Sequence, residues 1–161
     1  MTSPIFLYHG STNKNLEKIE PRAVTVRDVN DGQVVFATPS QARASLFIIP
    51  SDDSWTNKSF VNGVFYHVIA DKNKYLENDK GGAIYTLNTD NFVSDERGKE
   101  WVSKVSVKPI DKELFNSGID AMEKYGVKVV FCDYKFLKKF QDLLKNDLIS
   151  EAASLINNLL R

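Results

Sequence analysis

The sequence predicts a single α+β domain. Three observations carry this. Strand-like runs fill the first two-thirds of the chain, apolar residues at helical spacing fill the last third, and no internal repeat or low-complexity linker divides it. A length of 161 residues suits one domain with a sizeable core.

Ile5 to Tyr8 is a short apolar run that predicts a strand entering a turn at Gly10-Ser11. Gln33 to Ala37 is β-branched and aromatic, hence a strand. Thr38 is a good N-cap and Pro39 a good first helical residue; the helix they predict aligns Ala42, Ser45 and Leu46 and stops at Pro50. Residues 51–62 read as a loop with an aromatic tip, Trp55 being either a packed anchor or an exposed substrate-binding aromatic. Val64 to Ala70 alternates, with Val64, Tyr66 and Val68 on one face and Phe65, His67 and Ile69 on the other. On that pattern His67 is a structural histidine. Residues 73–82 are polar and turn-rich, and residues 88–99 a polar connection. Ala83 to Leu87 and Trp101 to Val107 predict strands, Leu114 to Lys124 a helix with Gly126 near its C-cap, and Val127 to Cys132 a buried strand. Phe136 to Leu160 is one long amphipathic helix or two in series. Its apolar stripe either faces the core or forms an oligomer interface.

Composition narrows function less than fold. Hydrophobic residues make up 42% and charged residues 26%, and 21 basic residues balance 21 acidic ones. Nothing here predicts nucleic-acid binding by bulk electrostatics, although local patches stay open. Cys132 is the only cysteine, so no intrachain disulfide forms, which is compatible with a reducing, cytoplasmic setting. No run approaches a membrane-spanning length, and "MTSPIFLYHG" lacks the features of a signal peptide. No phosphate-loop or dinucleotide glycine motif is present, and two histidines with one cysteine, far apart, do not make a structural zinc site.

Three stretches place polar residues at strand edges, where function concentrates. They are Tyr8-His9-Gly10-Ser11, Phe36-Ala37-Thr38-Pro39-Ser40 and Glu100-Trp101-Val102-Ser103. The His9 imidazole can exchange a hydrogen bond with a hydroxyl. Gly10 leaves its backbone N–H and C=O open to a flat ligand, and Ser11 adds a hydroxyl. One acceptor beside one donor suits a primary carboxamide. Glu100 at the mouth of an apolar strand can stabilise developing positive charge or orient a sugar hydroxyl. These roles require His9 and Glu100 to come from neighbouring strands of one sheet. The plainer alternatives are a turn histidine and a solvated glutamate after the charged "DERGK" loop. Arg22, Arg27 and Arg43 are candidates for facing a pyrophosphate, or are simply solvated.

In order and spacing the three stretches resemble the H-Y-E class of ADP-ribosyltransferases, which includes poly(ADP-ribose) polymerases and rifampicin-modifying enzymes. "LYHGST" is similar to the first motif, "VVFATPSQARASLF" to the second and "KEWVSK" to the third. The resemblance covers about residues 5–110, leaving a helix-strand-helix region at 111–161 outside it. It implies an ADP-ribosyltransferase-like split antiparallel sheet with a helical C-terminal extension. It implies NAD as co-substrate, transfer of ADP-ribose to a protein, nucleic-acid or small-molecule acceptor, and release of nicotinamide. His9 would bind the adenosine ribose, and Gly10 with Ser11 the nicotinamide carboxamide. Glu100 would bind the 2-hydroxyl of the nicotinamide ribose and stabilise an oxocarbenium-like transition state. Val35, Phe36, Ser40 and Phe47 complete the implied NAD contacts. The family's tyrosine falls at Val35, which can neither stack nor hydrogen-bond; Tyr66 and Tyr85 are candidates to replace it. Gly98 stands where arginine-modifying relatives carry a second acid or amide, which argues against arginine as acceptor. Two other classes stay open: an inactive NAD or ADP-ribose-binding module, and an interaction protein acting through the C-terminal helix.

Overall fold

A computed structural model describes residues 4–22 and 32–161. Its architecture is α+β, with three small sheets and five helices among the described residues. Arg27, a pyrophosphate candidate, lies outside them.

The first sheet joins β1 (Leu7–Ser11), β5 (Gly82–Leu87) and β8 (Asp111–Phe115) in the antiparallel order β1-β5-β8. The second joins β2 (Val35–Ala37), β6 (Val93–Ser94) and β7 (Trp101–Ser103) in the antiparallel order β2-β7-β6. Among the described residues one bridge links the two sheets: Tyr8 N–H donates to Thr38 O at 2.8 Å, and Thr38 N–H to Tyr8 O at 3.0 Å. The third sheet has the order β3-β4-β9, with β3 Thr56–Val61, β4 Val64–Ile69 and β9 Lys128–Phe131. Here β9 runs parallel to β4, so the expected purely antiparallel pairing does not hold throughout.

Alternation explains the layering. On β1 and β5, Leu7, Ala83, Tyr85 and Leu87 enter one core with Val35 and Ala37, while Tyr8 and Ile84 face another with Ala44 and Ile48. On β4, Phe65 and Ile69 join that second core, and Val64, Tyr66 and Val68 a third. Both faces of β4 are therefore covered, as its sequence predicts. The third core is closed by α4 (Tyr134–Lys145) and α5 (Ile149–Leu159), through Leu137, Phe140, Ala152, Ala153 and Ile156. Burying one such large side chain contributes about 1.5–3 kcal/mol. The C-terminal stripe is thus two helices in series with a core-facing side. They break where Asp147 takes φ 59°.

Several elements differ from the sequence expectation, each for a local reason. β1 runs on through His9 to Ser11, because β5 pairs with it to Ser11↔Ala83 instead of releasing it into a turn. α1 (Gln41–Ser45) is short, and Ser40 caps it in place of Thr38, its Oγ accepting from Arg43 N–H at 3.1 Å. The 51–62 loop contains β3, and Trp55 is buried at its start. Within 73–82, Asp71 caps α2 (Lys72–Asn78), whose single buried residue is Tyr75. The helix expected from Leu114 divides into the charged edge strand β8 and α3 (Gly118–Lys124), capped by Ser117 and by Asp79, whose Oδ1 accepts from Gly118 N–H at 2.6 Å. β7 stops at Ser103, short of Val107.

His67 is fully buried, with Nδ1 3.3 Å from Met122 Sδ and its ring edge-on to Tyr75 at 5.6 Å. Burial, aided by the Lys58 charge, pushes its pKa down to about 3. The unfolded chain then binds a proton near pH 6.5 that the folded chain refuses. Stability is complete above that pH and falls as pH drops toward 3, by roughly 1.4 kcal/mol per unit from this residue. Urea unfolding between pH 6.5 and 5 will show this slope, and His67→Gln will reduce it to the part contributed by His9, which burial also holds below its usual pKa.

Candidate functional site

The parting of the two bridged sheets makes a cleft. β2 ends at Ala37, Thr38 makes the last contact with β1, and the chain turns away into α1 while β1 continues. The resulting cavity is about 560 Å³. His9, Gly10, Ser11, Phe36, Phe47 and Glu100 all line it, though they come from segments far apart in sequence. His9 on β1 and Glu100 at the start of β7 are separated by β2 alone, since β7 pairs with β2 as Ala37↔Trp101. They do not lie on adjacent strands, as the sequence argument required, but one strand apart and on one cleft.

The imidazole of His9 is fixed by the backbone of β2. Its Nδ1 lies 2.6 Å from Phe36 O, a carbonyl that can only accept, so the proton sits on Nδ1. Burial pushes the ring below its usual pKa; the Phe36 bond works against this, and the Arg22 charge adds to it. His9 is therefore neutral at pH 7, with Nε2 a bare acceptor. Nε2 is buried and has no partner among the described residues. An orphaned acceptor of this kind is costly, and a ligand hydroxyl would satisfy it.

Gly10 has two reasons to be glycine. A Cβ there would sit 2.0 Å from Ala44 O, so the end of α1 can approach β1 only over a bare position. Its backbone is also placed for recognition. Tyr8 uses its N–H and C=O toward Thr38, and backbone direction alternates along an antiparallel strand. Gly10, two residues on, turns its own pair the same way, into the gap that β2 has left. Beside it, Ser11 Oγ accepts from Asn13 N–H at 3.1 Å, keeping its own proton free to donate.

Glu100 is held from both ends. Asp95 Oδ1 accepts from Lys99 N–H at 3.0 Å and Glu100 N–H at 3.4 Å, and Asp95 N–H donates to Glu100 O at 2.9 Å. Burial pushes the Asp95 carboxyl upward, but these amides and Arg97 outweigh it and hold the group below its usual range. The Glu100 carboxylate lies 4.0 Å from Arg43 Nη1, both side chains about four-fifths buried (23% and 21% exposed). Arg43 in turn lies over the Phe65 ring, 5.3 Å from its centroid. Arg22 and Arg43 both line the cleft, so the cavity joins one carboxylate to two guanidiniums. Among the described residues no group of three His, Cys, Asp or Glu side chains gathers to hold a metal.

Two expected contacts are elsewhere. Val35 is 1% exposed and packs with Leu7 and Tyr85, on the opposite side of β2 from Phe36. Ser40 caps α1 and does not line the cavity. Nor do the proposed substitutes for the tyrosine reach it. Tyr66 is buried against α4 and α5, and the Tyr85 hydroxyl holds the loop at Asn13 and Leu16. The tyrosine that does line the cleft is Tyr8, together with Thr12, Thr38 and Pro50. Tyr8 was visible beside His9, but only the register with β5 and Thr38 shows which way it faces.

Gly10→Ala will force α1 away from β1. We expect a loss of about 1–3 kcal/mol in urea unfolding, the usual range for overpacking a tight contact. An unchanged midpoint would show that α1 yields freely at Ala44.

No family model, characterised protein or solved structure matches the chain.

Proposed function

We propose that this protein transfers single ADP-ribose units from NAD to an acceptor, on a split sheet of the ADP-ribosyltransferase type. The observation that carries the proposal is the convergence of His9, Gly10, Ser11, Phe36, Phe47 and Glu100 on one cavity of about 560 Å³. That volume lies within the roughly 300–1,000 Å³ of small-molecule sites. Two three-stranded antiparallel sheets joined at a single bridge support the fold reading.

In this scheme the nicotinamide carboxamide pairs with the backbone N–H and C=O of Gly10, and Tyr8, Phe36 and Phe47 supply apolar walls. A ribose hydroxyl donates to Nε2 of His9. Arg22 and Arg43 face the pyrophosphate. Glu100 accepts from the 2-hydroxyl of the nicotinamide ribose and stabilises positive charge as it develops on the sugar. The bond from ribose C1 to the pyridinium nitrogen breaks, and its electron pair leaves with neutral nicotinamide. A bond from C1 to the acceptor heteroatom forms, and the acceptor's proton passes to solvent.

The test is release of nicotinamide from labelled NAD by wild type and by Glu100→Gln. We expect the variant to release at least about 100-fold less while binding NAD within a few-fold of wild type, since a contact made to developing charge acts on turnover. Equal release from both proteins would remove Glu100 from the chemistry. A second reading, an NAD-binding module without turnover, is favoured by the burial of Val35 and by the Arg43 guanidinium beside Glu100. Calorimetric binding of NAD with no nicotinamide released by wild type would establish it.

A further inference from the structure

The Glu100 side of the cleft opens onto a shelf of aromatic rings interleaved with cations. Phe47 and Phe60 are 52% and 49% exposed, and Phe65 is partly buried. Each ring has a cation beside it: Lys58 Nζ is 5.2 Å from the Phe47 centroid, Arg43 Cζ 5.3 Å from Phe65 and Lys99 Nζ 5.8 Å from Phe60. The features are continuous. Lys58 and Phe60 share a face of β3, and Phe60 stands opposite Phe65 with centroids 4.5 Å apart. Arg43 connects Phe65 to Glu100, and Lys99 precedes Glu100 in the chain. The hairpin turns tightly at Asn62 and Gly63, with φ of 49° and 80°, which fixes the register that sets Phe60 opposite Phe65.

Its chemistry selects a partner that is both flat and anionic. Half-exposed rings in a row offer stacking surfaces, and the cations between them offer phosphate contacts. The carboxylates nearby among the described residues include Glu100, paired with Arg43, Asp53, whose charge acts on Lys58, and Asp95, which is paired with Arg97 and accepts from Lys99 N–H. Burial holds the Lys58 ammonium below its usual pKa, with Asp53 working against it. A poorly hydrated cation gains more from an arriving phosphate than a solvated one does. Paired bases hide the faces that stacking needs, so a duplex fits less well than a single strand.

We propose that this shelf docks single-stranded nucleic acid and presents it as the ADP-ribose acceptor. The acceptor role rests on the function proposed above; the docking itself is measured without NAD. The probes are fluorescein-labelled single strands of DNA and RNA of about 12 nucleotides, matching known site sizes, with the duplex form as control. Fluorescence anisotropy on the full chain at low salt should show saturable binding of at least one single strand, and weaker binding of the duplex. Phe60→Ala should weaken binding about tenfold, and Phe60→Tyr, which keeps a stacking ring, should restore it. Lys58→Ala with Lys99→Ala should weaken binding and flatten its salt dependence. Lys138→Ala, on the exposed side of α4, should change nothing. No saturable binding of either strand, or equal loss in Phe60→Ala and Lys138→Ala, overturns the docking surface. Labelled NAD incorporated into added protein but never into the oligonucleotide overturns its role as acceptor surface. Strand binding with no NAD turnover in wild type leaves the shelf standing and fells the enzymatic reading instead.

Discussion

Two backbone hydrogen bonds between Tyr8 and Thr38 decide the shape of this molecule. They are the point at which the β1-β5-β8 and β2-β7-β6 sheets touch. Before it, the strands share one core of Leu7, Val35, Ala37 and Tyr85. After it, β2 gives way to α1 and β1 goes on paired with β5 alone, so that on its other side the polar backbone of Gly10 has no strand among the described residues. A sheet that closed fully would have no cleft, and one without the bridge would have no fixed geometry between His9 and Glu100. The fold and the candidate site follow from the same pair of bonds.

The cleft's electrical character comes from how its charged groups are confined. His9 is kept neutral by burial and is oriented by the Phe36 carbonyl, so its outward nitrogen accepts. Glu100 keeps a guanidinium within 4.0 Å, and that guanidinium is braced on Phe65. An anionic ligand that engaged Arg43 would loosen this pair and free the carboxylate for a hydroxyl. The hairpin carrying Phe60 and Phe65, the end of α1 and the strand start at Glu100 are therefore mechanically connected through one arginine. Lys58 extends the connection to Phe47 at the cleft wall.

Much of this was readable from residue patterns, and the losses have physical causes. The alternation of Val64 to Ile69 correctly assigns two covered faces, because β4 is central in its sheet. β3 was missed because it is an edge strand whose "TNKSF" mixes polar residues with one half-exposed ring. The helix α2 buries only Tyr75, so no periodicity marks it; the signal available was Asp71 at the N-cap. β8 hides behind "DKELF", the charges of an edge strand, and reads as helix. At the site, motif spacing brought out His9, Gly10, Ser11, Phe36, Phe47 and Glu100. It also admitted Val35, because adjacency in sequence does not tell which side of a strand a residue takes. The same ambiguity hid Tyr8. Arg43 was visible as a charge, but its pairing with Glu100 depends on the close approach that Gly10 allows to α1.

The protonation and partner of His9 decide whether this cleft binds NAD as proposed. With only two histidines in the chain, long-range nitrogen–proton correlation spectra of a labelled sample resolve both rings. At pH 7 His9 is expected to be neutral, with its proton on Nδ1. Adding NAD should shift its Nε2 as that atom accepts a hydrogen bond, while His67 stays unmoved. A proton on Nε2, or NAD that leaves both histidines unchanged, would contradict this reading.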